Sequence, residues 1–144
     1  CGKKGCLETE TSGKALTTFF VKRLKEGATS SVTGKVTQME DITMEHIIDA
    51  AINDDTLAME LIEEIGEKLG KAIAVLINIF NPELIILGGS MAATGDSLYL
   101  PVKSAIKKFS LSLVNSDTKL RLSQLGDKAG VIGACMLMRK RLFN

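Results

Sequence analysis

Two thiols open the chain. Cys1 and Cys6 flank Gly2-Lys3-Lys4-Gly5, a tight double-glycine loop. Thiolates two to four residues apart commonly grip one zinc, and here four residues intervene. Two thiolates are half of a tetrahedral structural site. The other donors would have to come from before residue 1 or from another chain. The spacing equally admits two unrelated cysteines flanking a turn. A second candidate is Gly88-Gly89, which follows the apolar run Leu84-Ile85-Ile86-Leu87. A glycine pair after a buried strand stands where an open α/β sheet places a ligand, and it lets a bound group approach the backbone.

Other chemistry is harder to find. His46 is the sole histidine and sits on the polar side of an amphipathic segment. It reads as a solvated helix residue, and a serine- or cysteine-type triad is excluded. Glu60, Glu63, Glu64 and Glu67 read as a solvated face, because a general acid needs a pocket that shifts its pKa. Lys103, Lys107 and Lys108 read as a solubilising face. Arg139-Lys140-Arg141 reads as positive charge at a helix end. Cys135 reads as a small buried hydrophobe.

The chain has 144 residues and a formal net charge of +1, so it offers no bulk electrostatic reason to bind nucleic acid or an anionic membrane. No apolar run reaches the roughly 20 residues needed to span a bilayer, and no signal-peptide pattern opens the chain. With Trp absent and aromatics at 4%, the core must be aliphatic. Three cysteines without a secreted-scaffold spacing favour a reducing, cytoplasmic compartment. The first residue is Cys and not Met, which suggests a fragment, a processed product or a partial chain.

The elements that must position these residues are mostly helical. Leu16, Phe19, Phe20 and Leu24 recur at helical spacing over Ala15 to Glu26, with Gly27 as a stop. Gly27 to Asp41 is rich in Ser, Thr and Gly and reads as a surface connection. Thr43 is an N-cap, and Ile42 and Ile47 are placed as a hydrophobic staple. Asp54 or Asp55 caps the longest helix, about Thr56 to Phe80, whose second half is apolar nearly all round and should be deeply buried. Gly66, Gly70 and Ala74 fall four apart, as expected where another element packs closely. Pro82 ends the helix. Leu84 to Leu87 should be a strand covered on both faces. Met91 to Asp96 reads as a loop, Ser97 to Phe109 as a helix with Pro101 near its first turn, Lys119 to Leu125 as a second strand, and the stretch from Ala129 as a last helix whose small residues either pack closely on the sheet or hold the helix start near a ligand phosphate or base. Two strands cannot make a self-sufficient sheet for this much helix, which places the missing strands upstream.

Three motifs then agree on one family. Cys1-Gly2-Lys3-Lys4-Gly5-Cys6-Leu7-Glu8, with Ser12-Gly13 behind it, resembles the cysteine-rich signature of the ROK family of repressors, uncharacterised reading frames and sugar kinases. Asn78-Ile79-Phe80-Asn81-Pro82-Glu83 through Gly88-Gly89 resembles that family's Asn-x-x-Asn-Pro-Glu strand and glycine turn. Gly126 to Ala134 resembles its closing Ala-Gly-x-x-Gly-Ala helix. The resemblance covers essentially the whole chain. It implies an α/β fold, the back end of the second lobe of an actin/hexokinase-like (ribonuclease H-like) architecture, with the upstream lobe and any DNA-binding domain outside residues 1–144.

The resemblance also implies roles. Cys1 and Cys6 match the last two ligands of a one-histidine, three-cysteine structural zinc site. Glu8 matches a glutamate that accepts hydrogen bonds from sugar hydroxyls, as a carboxylate can. Gly88 and Gly89 match the turn beside the adenosine of ATP in the kinases, which also use magnesium. The catalytic aspartate belongs to a part of the family fold not present here, so no residue of this chain is assigned a catalytic role. Glu10 stands where many of the kinases have an aromatic residue, and Ser90-Met91 follows the glycine pair where they have a third glycine. The amino-terminal wording is closer to the sugar-responsive, N-acetylglucosamine- and xylose-type repressors. The expectation is a sugar-sensing transcriptional regulator that binds a sugar or sugar phosphate, contacts DNA through a domain outside this chain, and forms a homodimer. The alternatives are an ATP-dependent sugar kinase and a zinc-stapled interaction module.

Overall fold

A computed structural model describes residues 5–143. The chain begins with a single helical turn, α1 (Glu8–Thr11), and continues into α2 (Gly13–Lys25). Ser12 separates them with an extended backbone, and its hydroxyl accepts the Ala15 N–H at 3.2 Å, capping α2. Leu16, Phe20 and Leu24 turn one face of α2 inward, as their spacing requires.

The connection after α2 is more ordered than its composition suggests. It folds into two short 3-10 turns, Ser31–Gly34 and Met39–Asp41, and buries Val32 completely. One carboxylate organises it. Asp55 accepts hydrogen bonds from the Ser30 hydroxyl, the Ser31 hydroxyl and the Ser31 N–H at 2.7–2.9 Å, and from the Ala58 N–H at 3.0 Å. It therefore caps α4 (Thr56–Phe80) and staples the connection to that cap. Burial opposes the Asp55 charge, but the hydrogen bonds from Ser31, Ala58 and Ser30 prevail and hold the carboxyl below its ordinary range.

Helix α3 (Met44–Ile52) starts as its sequence predicts, with Thr43 as the cap and both Ile42 and Ile47 buried. The sequence reading missed the role of His46. Its ring Nδ1 accepts the Thr43 N–H at 3.2 Å, closing a capping box in the place usually held by Glu or Gln.

Helix α4 is the spine, and its line of small residues is explained by α5 (Asp96–Phe109). A Cβ added at Gly70 would lie 2.6 Å from both the Ala105 Cβ and the Val102 carbonyl oxygen. At Gly66 it would lie 3.0 Å from the Pro101 Cβ. The two helices meet nearly backbone to backbone along this line. Pro101 is the sixth residue of α5, so it lies inside the helix and not in its first turn.

Helix α4 ends at Asn81, which takes a left-handed conformation (φ 42°, ψ 57°), and Pro82 prevents continuation. Strand β1 (Leu84–Leu87) follows, and Gly89 leaves it at φ +88°. The stretch read as a loop then forms a 3-10 turn, Ser90–Thr94. After α5 and the single turn α6 (Ser112–Asn115), strand β2 (Lys119–Leu122) returns parallel to β1 with Leu84 opposite Lys119 and Leu87 opposite Leu122. A 3-10 turn, Gly126–Lys128, leads into α7 (Ala129–Phe143).

Three expectations about burial are corrected. The second half of α4 is not deeply buried: Val75, Leu76, Ile79 and Phe80 are half or more exposed. Strand β1 is covered on one face only. Leu87 is buried and Ile85 partly so, while Leu84 and Ile86 are exposed. Helix α7 does not pack closely through its small residues, because a Cβ added at Gly130 or Gly133 would meet nothing within 4 Å. Cys135, on that helix, is accordingly exposed and not a buried hydrophobe. The apolar composition of these segments is real, but nothing among the described residues covers them. No helix among the described residues is long and apolar enough to cross a membrane.

Candidate functional site

The sequence-derived residues divide between two places. Cys6 and Glu8 share one exposed turn at the amino end. The Cys6 carbonyl accepts from both the Thr9 N–H at 3.0 Å and the Thr9 hydroxyl at 2.6 Å, which fixes the backbone between thiol and carboxylate. Glu8 is the first residue of α1 and makes no hydrogen bond or ion pair with another side chain among the described residues. Its oxygens are free to accept from a ligand. Glu10, two residues along, is spoken for: its carboxylate lies 3.4 Å from the Lys68 ammonium on α4.

Cys1 lies outside the described residues, so the pairing of Cys1 with Cys6 in a zinc site is not described. Cys6 itself suits a zinc donor, being an exposed thiol on a turn with Gly5 at φ +81°. Among the described residues no group of three or more His, Cys, Asp or Glu side chains gathers around it. His46 Nδ1 is engaged in its capping box, and His46 belongs to no such group.

Gly88 and Gly89 stand at the carboxyl end of β1, where the open-sheet rule places a ligand. They face the start of α2 across a cavity of about 410 Å3, lined by Gly13, Lys14, Thr17, Met44, Ser90 and Met91 besides the glycines. A Cβ at Gly13 would collide with the Met44 sulfur. A second cavity of about 360 Å3 opens on the other side of Gly89, between α3 (Glu45, Ile48, Asp49) and the start of the segment after β2 (Ser123, Gln124, Gly126). The Glu45 carboxyl there is held below the usual range, first by a backbone N–H at its own helix start and then by the Thr43 hydroxyl. The glycine turn is thus flanked by open space on both sides, and Glu8 lines neither cavity. The contribution of α2 and α3 to these walls was not foreseen from the sequence, which marked Ser12-Gly13 only as an interruption.

Comparisons with known proteins assign the class. The chain matches the ROK family over residues 1–141 and belongs to it. It is 33% identical over 141 residues to a glucokinase of Halalkalibacterium halodurans, covering 98% of this chain and 43% of that one. It is 34% identical over all 144 residues to the DNA-binding transcriptional dual regulator NagC of Escherichia coli K12, covering 34% of its length. Among solved structures, a ROK family transcriptional regulator homologous to the E. coli Mlc protein superposes with a TM-score of 0.77 at 36% identity, over 85% of this chain and 30% of that one. A ROK family glucokinase from Streptomyces griseus, solved with glucose and AMPPNP, gives 0.84 at 27% identity, over 97% of this chain and 46% of that one. The chain therefore spans a third to a half of the length of these relatives. Its two parallel strands and surrounding helices correspond to part of the actin/hexokinase-like fold. Both repressors and sugar kinases are among its relatives.

Proposed function

We propose that the protein of which this chain forms part is a sugar-sensing transcriptional regulator, with residues 1–144 in its effector-binding domain. Glu8 accepts hydrogen bonds from hydroxyls of a sugar or sugar phosphate. A structural zinc, held by Cys6 and Cys1 with donors from outside this chain, stiffens the turn that presents Glu8; bound there, it supplies only a fixed geometry. Sugar binding shifts the balance between two arrangements of lobes or of a homodimer, and so changes affinity for DNA held by a segment outside this chain, in the cytoplasm. The observation that carries the sugar assignment is the free, exposed Glu8 carboxylate on the same fixed turn as Cys6.

Regulator is favoured over kinase by what surrounds the glycine pair. Ser90 takes the place of a third glycine and begins a 3-10 turn that carries Met91 into the wall of the adjoining cavity, beside Met44. Glu10, in place of an aromatic residue, is tied to Lys68. The kinase reading keeps one supporting observation: Gly88 and Gly89 border open space at a strand's carboxyl end, where ATP with magnesium would lie. Full-length protein given ATP and a panel of sugars should show no turnover, and a sugar should change its affinity for operator DNA. Sustained phosphorylation of any sugar reverses the choice.

Glu8→Gln in the full-length protein should weaken sugar binding at least about tenfold, because a charged acceptor is lost from a hydroxyl contact. Unchanged affinity by calorimetry would remove Glu8 from the site. Cys6→Ser should lower the zinc content of full-length protein by metal analysis and reduce its thermal stability. An undiminished zinc content would detach the thiol from any metal.

A further inference from the structure

One ion pair ties the body of the fold to the amino-terminal turn that carries Cys6 and Glu8. The Lys68 ammonium on α4 lies 3.4 Å from a Glu10 carboxylate oxygen on α1 and 5.2 Å from the centre of the Phe19 ring on α2. An acid four residues earlier is the ordinary partner of a helical lysine. Here that acid is Glu64, and it is taken: the Arg23 guanidinium of α2 donates to it at 2.7 Å. Lys68 is left to reach across to α1, with its charge held over the Phe19 ring.

The turn has few other ties. Among the described residues, the remaining hydrogen bonds of residues 6–11 are local. The Thr9 N–H and hydroxyl reach the Cys6 carbonyl, the Glu10 N–H and the Thr11 N–H and hydroxyl reach the Leu7 carbonyl, and the Glu8 carbonyl accepts from the Ser12 N–H. Thr11 is buried, which anchors the carboxyl end of α1. Successive helical residues lie about 100° apart around the axis, so Glu8 stands about 200° from Glu10. With Glu10 drawn against α4, Glu8 is turned to the far side of the turn, where it is exposed. A half-exposed pair adds little to global stability. Its effect is local: it sets which way a single turn of four residues, too short to hold itself, faces.

We propose, resting on the assignment of Glu8 to the sugar, that Lys68 is a positioning residue for ligand binding: through Glu10 it holds α1 in the orientation that presents the Glu8 carboxylate to a sugar hydroxyl. Lys68 touches no ligand and acts only through the turn. Because the pair is partly exposed, dissolved salt screens it. Affinity for a neutral sugar should therefore weaken as salt rises, a dependence that a hydroxyl–carboxylate contact would not produce by itself.

The test joins calorimetric titration of full-length protein, with glucose, N-acetylglucosamine and xylose as probe sugars, to amide hydrogen exchange without sugar. Lys68→Met should weaken binding of the probe that the parent binds by about threefold, the scale of an exposed pair. It should speed exchange of the Glu10, Thr11 and Ser12 amides by a similar factor, leave thermal unfolding nearly unchanged, and flatten the salt dependence. Lys68→Arg should bind within about twofold of the parent, since the charge is kept. The swap Glu10→Lys/Lys68→Glu should recover much of the loss seen in either single variant. Lys71→Met breaks an ion pair confined to α4 and should change neither readout. The proposal falls if Lys68→Met leaves exchange of the turn unchanged, or if Glu8→Gln weakens sugar binding and Lys68→Met does not. If no probe binds, or Glu8→Gln binds as the parent does, the sugar assignment fails and the proposal falls with it. Raised exchange in Lys68→Met would then still mark Lys68 as the anchor of the turn, which tells the two failures apart.

Discussion

Gly70→Ala should destabilise the full-length protein by about 1–3 kcal/mol in denaturant unfolding, the range typical of overpacking a tight contact. The sign is the informative part. In a free helix interior, alanine is favoured over glycine by about 1 kcal/mol. Here the added methyl would sit 2.6 Å from the Val102 carbonyl oxygen and equally close to the Ala105 Cβ. The first is backbone and cannot rotate away, so α5 would have to lift from α4 along the whole contact. Gly34→Ala is the control. Its added Cβ meets nothing within 4 Å, and the change should stay within about 0.5 kcal/mol. A Gly70→Ala protein as stable as the parent would mean that α4 and α5 do not meet along this line.

Asp55→Ala should cost about 2 kcal/mol at neutral pH, the upper end of the range for a lost helix cap. The loss includes the α4 cap and the anchor of Ser30 and Ser31. Asp55→Asn should cost less, because an amide oxygen still caps. The pH dependence has a definite sign. The folded carboxyl titrates below its ordinary value of 3.8. Its stabilisation is therefore fully present above that value and is lost as pH falls through the lower folded pKa. The gap between parent and Asp55→Ala should be constant from neutral pH down to about pH 5 and should narrow below pH 3.8. A gap that widens on acidification would contradict the hydrogen-bonded carboxylate.

What could be read from the sequence was what depends on a few neighbouring residues. The Thr43 cap, the Ile42–Ile47 staple, the Asp55 cap and the stop at Pro82 all act within one helical turn, and each is present. The Gly66-Gly70-Ala74 line announced a close neighbour correctly, although only the structure identifies it as α5. Burial was misjudged where it depends on remote partners. Ile79, Phe80, Ile86 and Val131, Ile132 and Leu137 of α7 are as apolar as true core positions, but nothing among the described residues lies over them. Among the candidate sites, Glu8 and Cys6 are marked out by a motif, whereas walls around Gly88 and Gly89 come from α2 and α3, more than 35 residues away.

The bare face that begins on the last turns of α4 and includes Leu84 and Ile86 of β1 bears on handling as well as on folding. Produced by itself, this chain would behave as a surfactant more than as a well-mannered solute. Exposed Phe80, Ile79 and Ile86 would seek one another between molecules, and the near-neutral balance of charge would do little to keep those molecules apart. Detergent, or a covering polypeptide supplied in the same cell, would then decide whether it stays in solution, and light scattering against concentration would register the difference.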